Sequence, residues 1–150
     1  IQSFKGIKRR YTKHIFESGK IYIDDYAHHP TELNAVINSV KTFYPTKKLL
    51  VVFQPHLFSR TRDFVDGFAD SLSKGDELIL LDIYPARELQ ENYPGVTSDW
   101  LLEKVTLQKK EMSSLNEAFG KIKEKDFDVL LTVGAGNIDT LYDPIMEWLG

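Results

Sequence analysis

The chain has 150 residues, with 19 Lys and Arg against 22 Asp and Glu and a formal charge of -3, so no cation surplus exists to neutralise a phosphate backbone and no nucleic-acid partner is expected. Having no cysteine, it has no disulfide framework, thiol nucleophile or Cys-ligated zinc. No apolar stretch reaches the roughly 18–20 residues that cross a bilayer, so no membrane partner is expected and the cytoplasm is the expected location.

The length fits a single domain over residues 1–150, large enough to bury a real core. The opening residues Ile1-Gln2-Ser3-Phe4-Lys5 lack the apolar region of a signal peptide, and a start without Met fits a piece of a longer protein. Residues 7–14 read as a short, partly exposed strand, turned at Gly19 into a second strand over 20–25. Pro30 suits the first helical position. Leu33, Val36, Ile37 and Val40 then recur at helical spacing until the chain reaches Tyr44-Pro45.

Leu49 to Phe53 is a continuous apolar run, as expected for a strand covered on both faces. A helix over 59–73 follows, with Ser59 as its N-cap and Phe64, Phe68 and Leu72 on one side. Residues 77–83 form a third buried strand, and 84–96, with Pro85, Pro94 and Gly95, a loop. Helices are predicted over 97–105 and 113–124, with a weak strand between them around Leu107. A fourth apolar strand spans 128–133, followed by Gly134-Ala135-Gly136-Asn137 and a last helix to Trp148. The alternation predicts an α/β fold: three layers, a mostly parallel twisted sheet with helices on both faces, and one antiparallel strand from the N-terminal hairpin.

Two polar clusters each end a predicted strand. Asp24-Asp25-Tyr26-Ala27-His28-His29-Pro30 packs two carboxylates, a phenol and two imidazoles into seven residues, and Gln54-Pro55-His56-Leu57-Phe58-Ser59-Arg60-Thr61-Arg62 follows the next strand. The carboxyl ends of strands face the ligand crevice of such sheets, so the clusters read as two walls of one site. Asp25 is placed for ribose hydroxyls, whereas Asp24 reads as a satisfied strand-end carboxylate. His28 or His29 equally suits a helix-start residue bonding locally. No metal site is expected, because dedicated sites draw ligands from several elements.

Arg at a helix N-terminus opposes the macrodipole, so its placement there needs another reason. For Arg60 that reason is a bidentate grip on a carboxylate or phosphate. For Arg62 it is either such a grip or an ion pair with Asp63 or Asp66. His56 is either a site residue or a satisfied buried imidazole. The Gly134 loop completes neither phosphate-binding glycine pattern, and the chain has no Walker-type Lys, so the glycines equally suit a tight strand-to-helix turn. Any triphosphate cradle would then lie in another domain. A stand-alone nucleotide-binding α/β module and a metal-dependent hydrolase built on Asp24, Asp25, His28 and His29 are the competing classes.

The stretch Asp24 to Glu32 resembles the DDYGHHPTE signature of the Mur ligases, and Phe53 to Asp63 resembles the FQPHRYSRTRD segment of the branch that joins L-alanine to UDP-N-acetylmuramate. Phe4 to Tyr11 is similar to the opening of the C-terminal domain in that branch, and Leu81-Asp82-Ile83-Tyr84 and the Gly134 loop fall in the same order. The resemblance implies a Rossmann-like third domain of a three-domain ligase of peptidoglycan biosynthesis. The N-terminal UDP-binding domain and the central ATPase domain, which would bind most of the ATP and Mg²⁺, lie outside this sequence, so the chain alone is expected to be inactive. The implied partners are UDP-N-acetylmuramate, L-alanine, ATP and those two domains.

In the implied reaction ATP phosphorylates the muramoyl carboxylate and the amine of the amino acid attacks the acyl phosphate. By that resemblance Asp25, His28 and His29 are ATP-binding, with His28 catalytic beside the reacting phosphate. Tyr26 and His56 line the alanine methyl pocket, and Arg60 holds the alanine carboxylate. The pattern often has Arg directly after the His of the second segment; here that residue is Leu57. The grip is then left to Arg60 alone, or to Arg60 helped by Arg62 or by the amides near Gly134. A related ligase that adds a recycled tripeptide to the same UDP-sugar shares the first motif, and the second favours the alanine branch.

Overall fold

The computed structural model describes residues 11–150, so residues 4–10 of the opening resemblance and residues 7–10 of the first predicted strand lie outside the described residues. The hairpin is β1 (Thr12–Ile15) and β2 (Ile21–Asp25), turned at Gly19 with φ 93°. Helix α1 (Pro30–Phe43) carries Pro at its first position, and its N-terminus is closed by a reciprocal capping box. His29 Nδ1 accepts the Thr31 amide at 3.2 Å, and Glu32 Oε1 accepts the His29 amide at 3.2 Å. His29 is therefore a local helix-start residue, one of the two roles its position allowed.

Strand β3 (Leu49–Gln54) is buried throughout. The single helix expected over 59–73 is two, α2 (Phe58–Asp63) and α3 (Val65–Leu72), broken where Phe64 leaves helical geometry at φ -125°, ψ 25°. The reason lies in the faces buried. Val65, Phe68 and Leu72 pack into the core while Phe64 stays 42 % exposed, so one straight axis does not serve both halves.

Ser59 is not the N-cap either. That position falls to Leu57, which has no capping oxygen, and the Ser59 amide and hydroxyl both bond to Glu88 instead. Strand β4 (Glu77–Leu81) ends two residues before the predicted limit, and the following loop holds a short 3₁₀ turn at Gln90–Asn92.

Helix α4 (Ser98–Lys104) precedes β5, which lies at Lys110–Ser113 rather than at Leu107. The parallel register with β4 pairs Leu78 with Lys110 and Leu81 with Ser113, whereas Leu107 packs its side chain against the core. Because Ser113 ends β5, α5 (Leu115–Lys123) starts two residues later than predicted, with Ser114 as its cap. Strand β6 (Val129–Gly134) is followed by a 3₁₀ turn at Asn137–Leu141 and α6 (Tyr142–Leu149).

The six strands are ordered β1-β2-β6-β3-β4-β5, with β1 antiparallel and the rest parallel. Alternate residues of each strand feed opposite faces. Ile23, Val51, Phe53 and Leu131 pack with α1, α3 and α4, while Tyr22, Leu50, Val52 and Leu130 pack with α5 and α6. This is the predicted three-layer α/β arrangement. Burying one such side chain contributes roughly 1.5–3 kcal/mol, so both layers are strongly specified. Buried Asp24 accepts the Thr132 hydroxyl at 2.7 Å, and that oxygen meets the Tyr22 phenol at 2.7 Å. Asp24 is thus a satisfied carboxylate, as expected. Among the described residues no helix is long and apolar enough to cross a membrane.

Strands β2 and β3 both lead into helices on one face, while β6, lying between them, leads to the opposite face. The chain therefore parts at the carboxyl ends of these three strands, and a crevice opens there. Asp25 and the His56 segment flank β6 on the same edge, as the argument for two walls of one site requires.

Candidate functional site

The first wall is the loop after β2. Asp25 is half-buried and its Oδ1 accepts the Tyr26 amide at 2.8 Å; Tyr26 is exposed at 37 %. His28 turns back on this loop, with Nδ1 3.1 Å from the Tyr26 carbonyl and its ring edge-on to the phenol at 5.3 Å. Glu32 holds the loop by accepting the His28 amide at 3.1 Å. Burial pushes the Glu32 carboxyl up, but the amides and charges of His28 and His29 outweigh it and leave it below the usual range.

The second wall follows β3. The His56 ring lies 6.2 Å from that of His28, joining the two clusters. The His56 ring also stacks on Tyr84 at 5.6 Å and 13°. The backbone supports this stack: the Leu57 amide donates to the Tyr84 carbonyl at 2.8 Å and the Tyr84 amide to the Pro55 carbonyl at 2.8 Å. Arg60, in the first turn of α2, places NH1 3.1 Å from His56 Nδ1. Guanidinium is donor-only, so Nδ1 accepts and the imidazole proton sits on Nε2. Burial, then the Arg60 charge and then His28, lower the His56 pKa below its ordinary value. The result is a neutral imidazole with its N–H directed away from Arg60.

Among the described residues no carboxylate lies within ion-pair distance of Arg60, so its remaining donors are available to a ligand. Arg62 is different: its Nε pairs with Asp63 Oδ1 at 2.9 Å, the ion-pair role that was one of its expected readings. His29, half-buried, faces Phe64 at 4.7 Å rather than the His28–His56 pair. The structure thus gathers Tyr26, His28, His56 and Arg60 closely, with Asp25 beside them and His29 on the flank.

Between the walls runs the Gly134 loop. Gly134 has φ 146°, and a Cβ there would stand 2.8 Å from the Gln54 carbonyl oxygen; at Gly136 it would stand 2.4 Å from Gln54 Oε1 and 2.7 Å from Tyr84 Cγ. These glycines serve close approach. Buried Gln54 fills the space, accepting the Ile138 amide at 3.0 Å and donating to Asn137 Oδ1 at 2.7 Å. Gln54 heads the second polar cluster and Tyr84 ends the Leu81–Tyr84 stretch, but the sequence singles out neither as a site residue; Glu88, in the loop, carries no sequence signal of a site.

The chemistry on offer is recognition. A guanidinium, a neutral imidazole donor and two phenols suit a small molecule bearing a carboxylate. Among the described residues no three His, Asp or Glu side chains cluster to hold a metal ion.

The Mur ligase, glutamate ligase domain family is matched over residues 9–136. The chain is 51 % identical over 149 residues to UDP-N-acetylmuramate–L-alanine ligase of Flavobacterium johnsoniae, covering 99 % of this chain and 33 % of that protein. It is 54 % identical over 138 residues to the ligase of the same name from Flavobacterium psychrophilum, covering 92 % and 30 %. The chain therefore spans about a third of the length of the curated relatives it matches.

Among solved structures, UDP-N-acetylmuramate-alanine ligase of Thermotoga maritima superposes with TM-score 0.69 at 25 % identity, over 93 % of this chain and 29 % of that one. A murein peptide ligase of Psychrobacter arcticus superposes with TM-score 0.71 at 18 % identity, over 95 % and 30 %, which speaks to the fold alone. With most of its length matched by the family and half its residues shared with named members, the chain belongs to the Mur ligases, as their glutamate ligase domain.

Proposed function

We propose that this chain is the third domain of an ATP-dependent ligase that joins L-alanine to UDP-N-acetylmuramate in cytoplasmic peptidoglycan synthesis. The observation that carries the reading is Arg60 held 3.1 Å from a neutral His56, facing His28 across the crevice. In this reading the Arg60 guanidinium holds the carboxylate of the amino acid, and the His56 ring and Tyr26 border its methyl group. Asp25 meets the ribose hydroxyls of ATP, with His28 and His29 on the nucleotide side and His28 nearest the reacting phosphate.

Asp25 fits a ribose diol, being half-buried at a strand's carboxyl end. The described residues hold no ligand cluster for Mg²⁺, which belongs with the phosphates in the central domain; there the ion would neutralise phosphate charge. The role left to this domain is to bind the amine nucleophile, orient it toward the acyl phosphate formed from the muramoyl carboxylate, and exclude water on closing.

Calorimetry separates this reading from a stand-alone nucleotide module. The 150-residue chain is expected to bind ATP with Mg²⁺ weakly, since ribose-side contacts alone are present. A low-micromolar dissociation constant, roughly -8 kcal/mol, would favour the stand-alone module.

A further inference from the structure

Helix α2 carries Arg60 yet begins without a cap of its own. The residue at its N-cap position is Leu57, at φ 77° and ψ 135°, a conformation an L-residue with a branched side chain rarely adopts. Such strain persists only where the surroundings over-determine it. On one side, the Leu57 amide is held by the Tyr84 carbonyl at 2.8 Å. On the other, Glu88 reaches in from the loop after β4, and its Oε1 accepts the Ser59 amide at 3.0 Å while Oε2 accepts the Ser59 hydroxyl.

The Tyr93 phenol donates to the same Oε2 at 3.4 Å, and its ring stacks on Phe58 at 5.9 Å. Gln90 Nε2 braces the loop by donating to the carbonyls of Tyr93 and Val96, at 2.9 and 3.0 Å. Burial pushes the Glu88 carboxyl up, but the Ser59 hydroxyl, the Ser59 and Phe58 amides and Tyr93 together leave it below its usual range. It is an anion at neutral pH.

Tyr84 and Glu88 are four residues apart on one loop, and each clasps one side of the strained turn between His56 and Arg60. We propose that Glu88 is a positioning residue for the amino-acid pocket: by capping α2 from a distant loop it fixes the Arg60 guanidinium against His56. This rests on the reading of that pocket given above. Remove the carboxylate and the first turn of α2 loses its acceptors, Leu57 is free to relax, and the Arg60 fork no longer stands in one place. Among the described residues the hydrogen bonds of Glu88 run to Ser59 and Tyr93, away from the loop after β2 that forms the ATP side of that reading.

The test uses the full-length ligase with Glu88→Ala, Glu88→Gln, Arg60→Ala and the Glu88→Ala/Arg60→Ala double variant. Glu88→Ala is expected to raise the KM for L-alanine roughly tenfold, the scale of lost charge-assisted hydrogen bonds, and to leave the KM for ATP within about twofold. Glu88→Gln, isosteric but with one acceptor oxygen, should fall between wild type and Glu88→Ala. In the Arg60→Ala background, adding Glu88→Ala should change the alanine KM less than about twofold, because residues acting through one another are not additive.

An unchanged alanine KM in the Glu88 variants, equal rises for alanine and ATP, or a full tenfold effect on top of Arg60→Ala would each overturn the proposal. If Glu88→Ala does not fold, Glu88→Gln decides by the same KM comparison. Failure here is distinct from failure of the pocket reading: a wild-type enzyme with no L-alanine-dependent turnover removes the pocket itself. An alanine KM that answers to Arg60 and not to Glu88 removes only the positioning role.

Discussion

Arg60→Ala in the full-length ligase is expected to raise the KM for L-alanine about 10- to 100-fold and to leave that for ATP nearly unchanged, since a charge-assisted hydrogen bond contributes roughly 1.5–3 kcal/mol. In the proposed pocket the carboxylate it would hold is present in both ground and transition states, so its loss removes mostly uniform binding and registers in KM. The neutral His56 beside it cannot replace the lost charge. Arg60→Lys should restore only part of the affinity, because an ammonium lacks the planar two-donor fork and cannot serve His56 Nδ1 and a carboxylate with the same geometry. Asp25→Ala should show the converse pattern, with the ATP KM raised and the alanine KM kept. Steady-state kinetics with each substrate varied in turn reads both. An alanine KM indifferent to Arg60 would move the carboxylate grip to Arg62 or to the amides near Gly134.

Gly134→Ala is expected to be the most destabilising single-methyl change in the crevice. The residue sits at φ 146°, where an L side chain is strained by about 1–3 kcal/mol. Its Cβ would also meet the Gln54 carbonyl oxygen at 2.8 Å, a backbone atom of the central strand β3 that is fixed by pairing with β6. Overpacking of that kind costs about 1–3 kcal/mol more. A combined loss of about 2–6 kcal/mol is a large share of a typical domain's 5–15 kcal/mol. Thermal unfolding of the chain should therefore show a midpoint lower by roughly 5–20 °C. A midpoint within about 2 °C of wild type would mean that Gln54 and the loop yield easily, and that the tight approach is not what selects glycine.

Most of this architecture is written in local pattern. The apolar runs at β3, β4 and β6 are buried on both faces, and Pro30 with His29 and Glu32 forms a start signal whose partners all lie within four residues. The convergence of the two polar clusters was equally legible, because both end strands that a parallel sheet aligns. Asp24 and Arg62 also did what their neighbours allowed.

What escaped the sequence depends on contacts across it. The break at Phe64 follows from which faces of α2 and α3 meet the core, and Ser59, placed like a cap, is engaged by Glu88 from 29 residues away. Strand β5 lies three residues beyond Leu107 because its register is dictated by β4. Tyr84 belongs to the site only because the bridge to His56 folds its loop back.

The proposed pocket takes a single small amino acid. It is tested most directly by supplying the full-length enzyme with UDP-N-acetylmuramate, ATP and Mg²⁺ and measuring ADP release as the acceptor is varied. Turnover is expected with L-alanine, with its loss at subsaturating L-alanine in Arg60→Ala, and none is expected with a murein tripeptide. Turnover with the tripeptide and not with L-alanine would contradict that expectation, and would place the chain in the ligase that recycles whole peptides.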